Sequence, residues 1–286
     1  MDKNDAYSLG LYEKAMPAEL SFPQMLECTK RCGFDRMELS IDESDLRLAR
    51  LDWTDAQKNQ LAELAAQLGV PIWTMCLSGH RKYPMGSRSA RDRERSMDIM
   101  KKAVDFAAQT GIRIIQLAGY DVYYEPGDDI TRGYFLSNLN RAVEFSARAG
   151  VVLAFETMET PFMNTVSKAM SYVRQIHSPW LGIYPDIGNL QNAAVANDSN
   201  VVEDLMTGTG HIFALHLKET VPGVFRDMAF GTGHTDYSAG LAFAARNNIR
   251  MFTGEFWHQK GEDYERVISA SATFLRSHLD SAFASA

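Results

Sequence analysis

Short apolar runs alternate with longer amphipathic stretches along almost the whole chain, and that alternation admits very few folds. The strand-like runs lie at Leu9–Glu13, Arg36–Ser40, Ile72–Cys76, Ile112–Leu117, Val151–Glu156, Leu181–Asp186, Ile212–Leu217 and Met251–Glu255. Helical patterns follow at Ser21–Cys32, Thr54–Leu68, Ala90–Thr110, Thr131–Ala149, Thr165–Ile176, Val201–Met206, Tyr237–Asn247 and Asp263–Phe283. In Thr54–Leu68, for example, Leu61, Leu64, Ala65 and Leu68 recur at helical spacing behind Thr54, a good N-cap residue. Strands separated by crossover helices pair in parallel, and eight such units close into a barrel. The expectation is an α/β chain folded as a single (β/α)8 TIM barrel, one domain over residues 1–286. Neither a short repeat nor a low-complexity linker interrupts that order.

Four of the strand-like runs carry a metal-binding type of residue at or near the end: Glu156 in VVLAFE, Asp186 in IYPDIGN, His216 in IFALHLK and Glu255 in MFTGEFW. Successive members are about one barrel unit apart, roughly 31 residues in a ~250-residue barrel, which gathers them at one mouth. Strand phase supports this, because in Ile212–Leu217 the residues Phe213, Leu215 and Leu217 share one face while Ala214 and His216 share the other, inward one. Three carboxylates and one imidazole make a ligand set for one divalent metal ion. The expected ion is Mn²⁺ or Zn²⁺, with Mg²⁺ or Co²⁺ as alternatives. Such an ion polarises a carbonyl and eases loss of a proton from the neighbouring carbon. Glu156 and Glu255, on different strands, can then act as two opposed bases, the arrangement an epimerisation needs.

Other polar residues fall where a sugar could be held: Glu13 at the end of the first strand, His80 after the third, Gln116 in the fourth, and Asn189 after Asp186. Lys218 and Arg226 lie in a loop with Pro222 and Gly223 after the seventh strand, where such barrels commonly bind phosphate, and are expected to contact a phosphorylated substrate. The bland alternative pairs them with Glu219 and Asp227. Arg81 and Lys82 offer a second anion site. The long connections Ser78–Ser89, Ala118–Ile130 and Lys218–Thr235 should crowd the same mouth.

Bulk properties narrow the partners. A formal net charge of −7 argues against a nucleic-acid surface, and no apolar run is long enough for a membrane span. Cys28, Cys32 and Cys76 are an odd number without a CxxC pair, which fits inert thiols in a reducing cytoplasm.

On the segments LGLYEKAMP, ELSIDESDLRLARLDW, MCLSGHRKYPMGS, IQLAGYDVYYE, MNTVSKAM, YPDIGNL, HLKETVPGVF and FGTGHTDY, the chain resembles the L-ribulose-5-phosphate 3-epimerases, also called L-xylulose-5-phosphate 3-epimerases. These belong to the xylose-isomerase-like barrel superfamily, and the resemblance covers almost the whole chain. It departs at FETMETPFMN, where relatives often have an E-I-M-D pattern, and at EFWHQK, where they have E-M-W. The resemblance implies metal binding by Glu156, Asp186, His216 and Glu255, with the two glutamates moving protons at C3, and substrate contact by Asn189. It implies interconversion of L-xylulose 5-phosphate and L-ribulose 5-phosphate through a 2,3-enediolate, a place in L-ascorbate degradation, and a homodimer. The alternatives are an aldose–ketose isomerase acting on a related sugar or a hexulose 6-phosphate, and a sugar-phosphate-binding barrel without catalysis. DNA repair on a related barrel fits poorly with the charge and the single candidate histidine.

Overall fold

A computed structural model describes residues 6–285; the remaining ends of the expected domain, residues 1–5 and 286, lie outside the described residues. Eight strands form one parallel sheet: β1 Ser8–Tyr12, β2 Arg36–Ile41, β3 Thr74–Leu77, β4 Ile114–Ala118, β5 Val152–Glu156, β6 Leu181–Ile183, β7 Leu215–Leu217 and β8 Met251–Gly254. The helices are α1 Phe22–Arg31, α2 Asp45–Leu48, α3 Asp55–Leu68, α4 Ala90–Thr110, α5 Asp129–Ala149, α6 Val166–Ile176, α7 Ile187–Asn197, α8 Val201–Met206, α9 Tyr237–Arg246 and α10 Tyr264–Ala284. Continuous ladders run β6-β5-β4-β3-β2-β1-β8-β7. Among the described residues two isolated bridges, Ile183 with Ile212 and Asp186 with His216, join β6 to the β7 segment and close the ring. The (β/α)8 barrel expected from the alternation is thus the architecture observed.

Local chemistry explains the element ends. Thr54 caps α3 by accepting from the Gln57 amide at 3.3 Å, while the Gln57 side chain accepts from the Thr54 amide at 2.9 Å, a reciprocal capping box. Gly69, Gly111 and Gly150 end α3, α4 and α5 in the left-handed conformation that glycine adopts without Cβ strain. From β3 onward the strands are shorter than their apolar runs. β3 starts at Thr74 because pairing with both Glu38 and Ile114 begins there, and β6 stops before Pro185, which has no N–H to give a ladder.

Two segments depart from expectation. Residues 45–52 form α2 and a following helical turn, and residues 187–197 form α7, although neither region was read as helical. Gly188 and Asn189 disguise the start of α7. The glycine is required there because a Cβ would meet the carbonyl oxygen of Lys218 at 2.5 Å.

Outward strand residues such as Met37, Leu39, Leu153 and Phe155 join the main core under the helices. Inside the barrel a small apolar floor of Ile114, Ala154, Tyr184 and Ala214 lies among polar residues. Arg36 is fully buried there and donates to Thr74 Oγ1, to the Phe252 carbonyl and to Thr253 Oγ1 at 3.0, 2.7 and 3.1 Å. Gly10 makes room for it, since a Cβ would lie 2.5 Å from the guanidinium. Ala214 and His216 both face inward, as the alternation in that strand requires.

Candidate metal centre

Glu156 is the last residue of β5, His216 the middle of β7 and Glu255 the first residue beyond β8, while Asp186 follows β6 by three residues. One ligand atom from each lies within 4.8 Å of the others, and all four residues are buried. His216 Nδ1 is 3.4 Å from Glu255 Oε2, 3.8 Å from Glu156 Oε1 and 4.0 Å from Asp186 Oδ2. Neither His216 Nδ1 nor Asp186 Oδ2 makes a hydrogen bond among the described residues. Buried polar atoms ordinarily have partners, so converging carboxylates with orphaned ligand atoms fit a divalent cation. Asp186 serves twice, because its Oδ1 accepts from the Asn189 amide at 2.7 Å and caps α7.

Three acids in one buried space cannot all keep ordinary ionisation. Burial and the nearby Glu255 charge raise the Glu156 pKa. Burial, reinforced by Glu255, likewise lifts Asp186 to about 7 against the pull of Lys218. Glu255 moves the other way: burial opposes its charge, but Lys218 and His216 hold its carboxyl well below the usual range. Lys218 Nζ lies 3.0 Å from Glu255 Oε2 and 3.4 Å from Asp186 Oδ2. Burial also opposes charge on His216, yet Glu38 and Glu255 keep its pKa well above the ordinary imidazole value. Glu38, Tyr184 and Thr253 form a buried layer behind that ring: His216 Nε2 lies 2.5 Å from Glu38 Oε1, and the Tyr184 hydroxyl donates to Glu38 Oε2 at 2.9 Å.

A cavity of about 410 Å³ opens beside the four residues and is lined by Glu156, Asn189, Lys218 and Glu255 together with the rim residues Tyr12, Lys14, Arg81, Tyr123, Arg226 and Trp257. The expected mouth loops supply Ser78, Arg81, Tyr123 and the segment 223–227. Asn189 donates from Nδ2 to the Thr157 carbonyl at 2.7 Å, leaving its buried Oδ1 without a hydrogen-bond partner among the described residues. The Arg226 guanidinium stacks over Trp257 at 4.9 Å, and Arg81 over Tyr123 at 4.7 Å. Lys218 and Arg226 do not pair with Glu219 and Asp227: Glu219 accepts from the Gly231, Thr220 and Thr235 amides, and Asp227 accepts from Gln259.

Three residues expected at the substrate lie outside the cavity lining. Glu13 is fully buried with its oxygens occupied by Arg47, Arg50 and the Ser40 amide at 2.6–2.9 Å. His80 lies 3.1 Å from the Ser96 carbonyl through Nε2, and burial lowers its pKa to about 4, so it is a neutral, satisfied loop histidine. Gln116 is enclosed in the barrel below the mouth. The sequence reading missed Glu38, Tyr184 and Trp257. Glu38 had a usable signal, an acid on the Arg36-Glu38-Ser40 face of a strand whose other face is Met37, Leu39 and Ile41.

The profile of the family described as "Xylose isomerase-like TIM barrel" matches residues 26–278. The L-ribulose-5-phosphate 3-epimerase UlaE of Salmonella paratyphi C (strain RKS4594) is 42% identical over 275 residues, covering 96% of this chain and 95% of that protein. Its namesake from Salmonella typhimurium (strain LT2) is 41% identical with the same coverage. Among solved structures, the D-psicose 3-epimerase of Clostridium cellulolyticum H10 superposes with a TM-score of 0.80 over 95% of this chain and 99% of that one, at 14% identity. An L-ribulose 3-epimerase gives 0.77 over 98% and 96%, at 16% identity. At such identities the superpositions speak for the fold. Among the described residues no helix is long and apolar enough to cross a membrane.

Proposed function

Since the chain belongs to the xylose isomerase-like TIM-barrel family, and within it to the L-ribulose-5-phosphate 3-epimerases, we propose that it is an isomerase interconverting L-xylulose 5-phosphate and L-ribulose 5-phosphate. The observation that carries this reading is the buried Glu156, Asp186, His216 and Glu255 group beside an open cavity. These four residues would hold one divalent ion, Mn²⁺ or Zn²⁺ with Mg²⁺ or Co²⁺ as the alternatives, all of which the carboxylate and imidazole donors accommodate. When bound, such an ion supplies Lewis-acid polarisation of the ketose carbonyl and its neighbouring oxygen.

The remaining chemistry belongs to the side chains. Glu156 and Glu255 come from strands separated by β6 and β7 in an eight-stranded ring, so they approach the cavity from nearly opposite sides. One removes the C3 proton, a planar 2,3-enediolate forms, and the other returns a proton to the opposite face. Lys218 touches Glu255 and makes no such contact with Glu156, so the two acids are unequal. Each acts as the base in one direction of the reaction and returns the proton in the other. Asn189 Oδ1 orients a sugar hydroxyl. Arg226, free of Asp227, meets the phosphate at the rim with Arg81 as a second cation, and Lys218 acts deeper, beside the sugar oxygens. A role in L-ascorbate degradation belongs to the same proposal.

Turnover in deuterium oxide tests it. The product from either pentulose phosphate, read by NMR, should carry one solvent deuterium at C3. Turnover without C3 label rejects the two-base mechanism, and an aldose product labelled at C2 replaces epimerisation by aldose–ketose isomerisation.

A further inference from the structure

Glu38 has no part in the chemistry above, although burying a carboxylate in a barrel interior is costly unless it has a defined partner. It sits in the middle of β2, fully buried and facing inward. Its Oε1 lies 2.5 Å from His216 Nε2, and its Oε2 accepts from the Tyr184 hydroxyl at 2.9 Å. That hydroxyl is also 2.7 Å from Thr253 Oγ1, and the Tyr184 ring meets the His216 ring edge-on at 4.9 Å. The imidazole is therefore fixed in plane from one side and in contact from another.

An imidazole that ligates through one nitrogen must carry its proton on the other. A carboxylate can only accept, so Glu38 places the proton on Nε2 and leaves the Nδ1 lone pair pointing at the acidic group. Nδ1 is the atom that makes no hydrogen bond among the described residues, and it is the one that faces Glu255, Glu156 and Asp186. We propose that Glu38 is a positioning residue of the metal centre, selecting the Nε2–H tautomer of His216 so that Nδ1 is the ligand, with Tyr184 in turn fixing Glu38. This rests on the metal reading given above. It adds a residue that touches neither substrate nor metal, and it makes β2 part of a centre otherwise built from β5–β8.

The test is Mn²⁺ titration of chelator-stripped protein, following the free-ion signal by electron paramagnetic resonance, for wild type, Glu38→Leu and Glu38→Gln. Glu38→Leu should weaken Mn²⁺ binding by roughly 10–100-fold, the range seen when a partner behind a metal-bound histidine is removed. Glu38→Gln should recover most of that loss, because its amide oxygen still accepts from Nε2–H. A stabilising ion pair alone would shift the melting temperature and leave the affinity where it was. Ring-nitrogen NMR of the Zn²⁺-loaded wild type should show the His216 proton on Nε2, and this decides the matter if Glu38→Leu does not fold. Wild-type affinity in folded Glu38→Leu, or a proton on Nδ1 in the loaded protein, overturns the assignment. Absence of Mn²⁺ binding by the wild type removes the metal-dependent function and this inference together; tight wild-type binding with unchanged variants removes Glu38 alone.

Discussion

Two groups of buried acid sit around one barrel mouth, and they differ in how they are neutralised. Glu13, just after β1, meets two guanidiniums and a backbone amide, so its one charge faces two cations from the fold. Glu156, Asp186 and Glu255 share one lysine and one histidine, so three acids face two groups able to carry positive charge. Burial alone therefore does not mark a working carboxylate. The mark is a surplus of buried negative charge over the cations the fold supplies, since only such a surplus leaves capacity for a metal and for proton transfer.

The sharpest way to break this contrast is to neutralise the surplus side. Glu156→Gln or Glu255→Gln should lower turnover by about 10²–10⁴-fold, the usual worth of a positioned acid or base. Circular dichroism should show an intact fold. Near wild-type rates in both variants would remove the distinction. Glu13→Gln should do the opposite. It takes the carboxylate from a buried and a partly buried guanidinium, the first of which keeps Asp42, so a loss of about 1–3 kcal/mol in urea unfolding is expected, with turnover of the folded protein changed only a few-fold. Full stability with lost activity would place Glu13 on the catalytic side of the comparison.

A pH series sharpens the same point with a smaller effect. Asp186 is held at about 7 in the folded chain against 3.8 unfolded, so the folded state keeps a proton that the unfolded state has released. Its contribution to the stability of metal-free protein should therefore fall as pH rises from about 5 to about 7, and is read against Asp186→Asn so that the opposite slope from His80, held at about 4, cancels. Glu156 has the same sign, and Glu255, held low, stays ionised throughout that window and adds no slope. Differential scanning calorimetry should show the wild-type melting temperature dropping by several degrees relative to the variant across that window, and saturating Mn²⁺ should flatten the wild-type trend. A wild-type profile that rises or stays flat relative to Asp186→Asn would mean the acidic surplus is relieved in some other way. Arg226→Ala should be mildest: KM rising by about tenfold with kcat nearly constant, the signature of lost uniform binding at the rim. A fall in kcat with unchanged KM would move Arg226 from binding to chemistry.

Much of this was legible because a barrel imposes two simple rules, strand alternation and a common mouth. They sufficed to bring Glu156, Asp186, His216 and Glu255 together and to turn Ala214 and His216 inward. Strand-end position does not say what stands opposite a side chain. Arg47 and Arg50, which occupy Glu13, come from residues 45–52, where local pattern did not reveal a helix. His80 is answered by a carbonyl on α4, a contact that spacing along the chain does not encode. α7 was hidden because Gly188 reads as a breaker, while its true cause is the close approach of the Lys218 carbonyl just beyond β7. Lys218 itself was expected to seek phosphate from its loop position, but two carboxylates lie nearer.

The join between β6 and β7 has a consequence beyond topology. Two isolated bridges close the ring there, and one of them pairs Asp186 with His216. An ion gripping both residues would act as a clasp across the seam where the ladder is thinnest. Loading would then report assembly as well as enable catalysis: a barrel sprung open at this seam would lose half its ligands in the same movement, so misclosed chains would be silent instead of promiscuous.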